Sequence, residues 1–171
     1  MKRIIACMAA ALVLAACARQ AADTRPTSTQ SLVDRGRYLS VIGGCNDCHT
    51  PGYALKAGKV DEKDWLVGDV VGWEGPWGTT YPANLRLYFQ NRTEEEWIRT
   101  ARTTQMRPPM PWFELQQMTD EDLRAIYQFV RSLGSAGDPA PAYLAPGVEA
   151  PAPKFRFVLP AGPPPDAASG G

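Results

Sequence analysis

One short stretch constrains this chain more than any other. In "GGCNDCHTPG", Gly43 to Gly52, two cysteines and the chain's only histidine stand together as Cys45, Cys48 and His49. A glycine pair precedes them and a Pro-Gly follows, so the motif leaves one turn and enters another. Four chemistries use cysteines at this spacing: a disulfide, a redox dithiol, a zinc knuckle and a covalent anchor for a prosthetic group. Each makes a different demand on the other residues.

The chain holds four cysteines. It begins "MKRIIACMAAALVLAAC", with Lys2 and Arg3 ahead of an apolar run from Ile4 to Ala16. Residues 1–16 read as a secretory signal, too short to span a membrane. The ending "LAAC" resembles the bacterial lipobox, which implies that Cys17 becomes the first mature residue and carries the lipid. Two or more acyl chains on one residue anchor firmly. Ala18, rather than Asp, after the cysteine favours the outer membrane by the same resemblance. Cys7 leaves with the signal. Cys45 and Cys48 then remain in a compartment that oxidises thiols.

Zinc wants four protein ligands, or three and a water. Adjacent Cys48 and His49 share one tetrahedral ion poorly, and no second Cys/His pair exists. A thioredoxin-type dithiol needs a βαβ context, whereas the flanks read as helix and loop. C-x-x-C-H is the attachment motif of c-type haem. Two cysteines three apart on one turn reach the two vinyl groups as thioethers. The next residue, His49, then points its imidazole at the iron from the same face. Export meets the need for attachment outside the cytoplasm. A haemless structural lipoprotein with a Cys45–Cys48 disulfide is the alternative.

Residues 17–30 read as a polar linker, residues 31–134 as one compact domain of ordinary size. Residues 135–171 form a Pro/Ala-rich tail that cannot build its own core. Its island "KFRFVLP" is expected to lie as a strap on the domain. Loss of Lys2 and Arg3 with the signal leaves 16 basic against 18 acidic residues. There is no basic patch for nucleic acid.

Three helices are legible. Ser31 opens the first, with Asp34 at its capping-box position and Leu32, Tyr38, Leu39 and Ile42 on one broad face. Gly43-Gly44 ends it. Thr93 to Glu96 is a second capping box, before inward-facing Trp97, Ile98 and Ala101. Thr119 and Asp122 cap the last helix, which runs Asp120 to Leu133 with Leu123, Ile126, Tyr127 and Val130 at helical spacing, and Gly134 stops it. Between the motif and the second helix, "WLVGDVVGWEGPWGTTYPANL" has no sustained period and reads as loops with at most a short hairpin. Trp65, Trp73 and Trp77 there are candidate haem walls, and Tyr81, Asn84, Arg99 and Arg102 candidate propionate partners.

These segments, with "RGRYLSVIGGCNDCHT", "GPWGTTYPANL" and "PPMPW", make the chain similar to class I c-type cytochromes, and among them to cytochrome subunits of bacterial periplasmic dehydrogenases. The resemblance implies an all-α, cytochrome c-like helical domain around one covalent haem c, with long loops. It implies that a small residue, Gly36, lets the first and last helices cross closely, with Tyr127 the expected contact. It also places the axial methionine in a Pro-rich loop before the last helix.

With no second histidine, bis-His ligation is excluded by counting, and His/Met ligation suits electron transfer. Met118 precedes the Thr119 cap and reads as a hydrophobic staple with Leu123. Met110, between Pro109 and Pro111, sits in a stiff extended stretch that can hold a thioether at a fixed distance. Met110 is therefore the expected distal ligand, with Met106 as the alternative. The expected protein is a lipid-anchored periplasmic carrier of single electrons between a dehydrogenase or oxidase and a respiratory acceptor, not itself an enzyme. The alternative within the haem class is a ligand sensor or catalyst with an open sixth position.

Overall fold

The computed structural model describes residues 28–158. The signal sequence, Cys17 and most of the linker lie outside the described residues. Five helices, α1 (Thr29–Ile42), α2 (Cys45–His49), α3 (Leu85–Gln90), α4 (Glu94–Thr103) and α5 (Trp112–Leu115), precede α6 (Asp120–Ser132). A small sheet of β1 (Gly72–Gly75), β2 (Gly78–Thr80) and β3 (Lys154–Arg156) completes the described part. The fold is predominantly helical, with this small sheet added to the expected helices. No helix among the described residues is long and apolar enough to cross a membrane.

The first helix starts earlier than its sequence suggested. Ser28, in extended conformation, accepts from the Ser31 amide through its hydroxyl at 3.2 Å. The Ser31 hydroxyl is occupied in turn, donating to the Ser28 carbonyl at 2.8 Å. Asp34 takes no part in the cap and accepts from Gln30 Nε2 at 3.0 Å. The expected broad apolar face is also corrected, because Tyr38 and Ile42 are exposed while Gly36 and Ser40 are buried. A close helix crossing selects small residues one turn apart.

That crossing, α1 over α6, is the most extensive contact between elements. A Cβ built on Gly36 would lie 2.0 Å from the Ala125 carbonyl oxygen and 2.7 Å from Phe129 Cβ. The partners are thus Ala125 and Phe129, one turn apart on one face, and not Tyr127. Residues two apart on a helix point in different directions. Tyr127 instead donates its hydroxyl to the Arg92 carbonyl at 2.9 Å and sets its ring against Phe89.

Below the crossing, Leu123, Ile126, Phe129 and Val130 of α6 form the centre of the core with Trp65, Leu66, Phe89 and Trp97. Full burial of one such side chain contributes about 1.5–3 kcal/mol. Trp97 also donates from Nε1 to the Leu123 carbonyl at 2.8 Å, which ties α4 to α6. Both expected capping boxes, at Thr93/Glu96 and Thr119/Asp122, are formed.

Asp122 belongs to its cap and to Arg35 of α1, whose Nε donates to it at 2.8 Å. Burial pushes its carboxyl up, but the hydrogen bonds from Thr119 and Arg35 outweigh this and hold it below the ordinary value. A depressed folded pKa stabilises the native state above the unfolded carboxylate value and ceases to do so as pH falls through the folded one. Asp122→Asn is therefore expected to lower the unfolding free energy by about 1 kcal/mol at pH 7. The difference from the parent should shrink as pH falls below the ordinary carboxylate value of about 3.9 and the folded carboxyl takes up its proton. Urea titrations across that range check this.

The Pro/Ala-rich segment runs along both edges of the β1–β2 hairpin. β2 pairs antiparallel with β1, and Thr79 exchanges backbone bonds of 2.8 and 3.0 Å with Leu144 on its outer side. β3 pairs parallel with β1, which sets Trp73 against Phe155 at 4.9 Å between ring centroids. Lys154 and Arg156 both reach Glu74, at 2.9 and 2.8 Å. A segment with no core of its own is held here by borrowed ladder bonds, aromatic contacts and ion pairs.

Candidate functional site

The Cys-His motif is positioned by a corner. Gly43 closes α1 by donating to the Leu39 carbonyl at 2.8 Å, and Gly44 turns the chain through a left-handed conformation at φ +68°. That conformation favours glycine. The single turn of α2 follows at once, so Cys45, Cys48 and His49 share one short rigid piece. Behind it the Thr50 hydroxyl donates to Asn46 Oδ1 at 2.7 Å and accepts from the Leu66 amide at 2.8 Å. These buried bonds fix the motif to the core.

Cys45, Cys48 and His49 all face one cavity of about 450 Å³, within the range of small-molecule and cofactor sites. Both cysteines are free thiols. Burial raises Cys45 to about 11, only partly offset by its hydrogen bond with its own backbone, and Cys48 is pushed in the same direction by burial. Burial depresses the His49 imidazole, against the opposing pull of its hydrogen bond to Ala83. His49 Nδ1 lies 2.7 Å from the Ala83 carbonyl oxygen. A carbonyl only accepts, so Nδ1 carries the proton and Nε2 is left as the free donor atom for a metal. Among the described residues no three His, Cys, Asp or Glu side chains converge on an ion site.

The cavity's other walls are mostly apolar. Leu85, Phe89, Trp97 and Ile126 line it from the core side, and Met106, Met110 and Met118 all reach it. Met118, read from sequence as a staple, packs on the core and also borders the cavity. The Met110 loop is held at several points. The Met110 amide donates to the Arg107 carbonyl at 3.3 Å, the Trp112 amide to the Met110 carbonyl at 2.9 Å, and the Thr80 hydroxyl to the Pro108 carbonyl at 2.7 Å. The residues present fit a covalent haem. They supply two thiols for thioethers, an oriented neutral imidazole, methionines in the lining and mostly apolar walls.

The tryptophans divide. Trp73 lines the cavity. Trp65 is buried in the core with Nε1 on the Val60 carbonyl, and Trp77 packs on Phe157. The propionate candidates are thinned as well. Tyr81 lines the cavity. Asn84 caps α3 and donates to the Ala136 and Asp138 carbonyls. Arg102 is committed to Asp120 and the Gln116 carbonyl. Arg99 is not among the lining residues. Ala83, Arg107, Pro141 and Tyr143 border the site without having been singled out. Their one sequence signal is the position of Arg107, directly before "PPMP".

The chain is 26% identical over 166 residues to the fructose dehydrogenase cytochrome subunit of Gluconobacter japonicus. That match covers 90% of this chain but only 30% of the relative, so the chain spans under a third of the relative's length. No solved structure is significantly similar. The family model described as cytochrome c matches residues 33–134, which hold the Cys-His motif, the Met110 loop and all six helices but for the first residues of α1. Two thiols and an oriented imidazole on one corner are what such a domain needs to carry haem, and this chain belongs to the cytochrome c family.

Proposed function

We propose that the protein is a mono-haem c-type cytochrome that passes single electrons in the periplasm, between a dehydrogenase and a respiratory acceptor. The carrying observation is the His49–Ala83 hydrogen bond, which aims a neutral imidazole into a cavity that also holds both thiols. When bound, haem supplies an iron that alternates between ferric and ferrous. The chain's own residues do the rest. Cys45 and Cys48 would hold the group by thioether bonds, and His49, its ring fixed by Ala83, would ligate the iron. Met110, on its clamped Pro-rich loop, would supply the second protein ligand, with Met106 the alternative. Apolar side chains exclude water, so little rearranges between the two redox states. The dehydrogenase as partner is proposed from the relative's printed role as a cytochrome subunit. Lipid attachment at Cys17, on the periplasmic side of the outer membrane, belongs to the same proposal.

Protein expressed with the haem-attachment machinery should keep its haem on a denaturing gel. Stain and mass should both show one haem per chain, and Cys45→Ala with Cys48→Ala should abolish both. A parent protein that emerges unstained, with a Cys45–Cys48 disulfide, would favour the structural lipoprotein instead.

A further inference from the structure

Arg107 is the one cationic side chain, His49 being neutral, among the residues that line the cavity, and Glu114 is the one acidic side chain there. Among the described residues the Arg107 guanidinium makes no ion pair or hydrogen bond to protein. It lies over the ring of Tyr143, at 4.0 Å from the centroid. Tyr143 is itself fixed, because its hydroxyl donates to the Trp77 carbonyl at 2.8 Å and the next residue, Leu144, is bonded to Thr79. On the other side the Thr80 hydroxyl holds the Pro108 carbonyl. A guanidinium over an aromatic ring, with no hydrogen bond to protein, keeps its N–H donors for a further partner. The planar fork of those donors fits a carboxylate.

Haem carries two propionates, and Arg107 is the one cation that this mostly apolar cavity offers them. We propose that Arg107, seated on Tyr143, pairs with a haem propionate, so that the segment after Gly134 sets the charge beside the haem. This rests on the haem reading above. Tyr143 lies beyond the family-matched residues 33–134, so the seat is a feature of this chain's C-terminal segment. Arg107 replaces Arg99, which does not line the cavity, and Arg102 and Asn84, whose donors are already engaged.

A cation near the haem disfavours the ferric form, which carries the extra positive charge. The test is the midpoint potential of the haem-loaded full chain, measured by spectroelectrochemical titration at fixed pH and salt. In Arg107→Gln the ferrous-to-ferric ratio at a given ambient potential should fall by about threefold to tenfold. Arg107→Lys should restore most of it. Tyr143→Leu should lower the ratio in the parent and leave it unchanged in the Arg107→Gln background.

An unchanged potential in Arg107→Gln overturns the proposal while leaving the haem reading intact. So does a Tyr143→Leu effect that persists without Arg107. A parent protein that takes up no haem defeats both.

Discussion

Gly36→Ala is expected to destabilise the domain by about 2–3 kcal/mol, the upper part of the range for overpacking. Helix propensity alone predicts the reverse, a gain of about 1 kcal/mol from replacing a mid-helix glycine. The two effects are separated by one distance, 2.0 Å from the new Cβ to the Ala125 carbonyl oxygen. No rotamer relieves a clash between Cβ and backbone, so α1 must lift from α6. Their contact is the largest in the fold, and α1 leads directly into Gly44 and the Cys-His corner. Loss of stability should therefore come with poorer haem retention in the cavity. Urea unfolding of the haem-loaded protein, followed by circular dichroism, measures the first effect. Equal or higher stability in the alanine variant would show that the helices do not cross as described.

Met110→Ala should remove the weak far-red sulfur-to-iron band of the ferric protein. It should also lower the midpoint potential by roughly 0.2 V, part of the ~0.8 V range that axial ligands span. Met106→Ala and Met118→Ala should leave both unchanged, although all three sulfurs border the cavity. The distinction rests on the backbone. The Met110 loop is pinned by its own turn, by the Trp112 amide and by the Thr80 hydroxyl. The band's survival in Met110→Ala and disappearance in Met106→Ala would exchange the two assignments.

What the sequence made legible was local chemistry. Thr93 and Thr119 declare helix starts because a hydroxyl and a carboxylate three residues apart satisfy each other's amides within one turn. The Cys-His spacing needs no distant residue to be read. Of the small sheet, the short hairpin and a strap over the domain were legible, but not the strand pairing between them. Strands of three and four residues carry no period, and β3 joins β1 across some eighty residues of chain. The Gly36 partners, Ala125 and Phe129 rather than Tyr127, depend on the exact rotation of one helix against the other. In a close crossing, backbone and small side chains decide. Of the propionate candidates, Tyr81 lines the cavity and Arg99 does not. Arg102 and Asn84 fail because local carbonyls and Asp120 already use their donors, a fact of tertiary packing.

The central claim, a haem closed on both faces by His49 and Met110, is tested most directly by carbon monoxide. The ferrous protein, matured with the haem-attachment machinery, is mixed with the gas and its absorption spectrum followed. The account predicts a low-spin c-type spectrum that carbon monoxide leaves unshifted. A high-spin ferrous spectrum that shifts readily on adding the gas would contradict it and make the protein a ligand sensor or catalyst with an open iron.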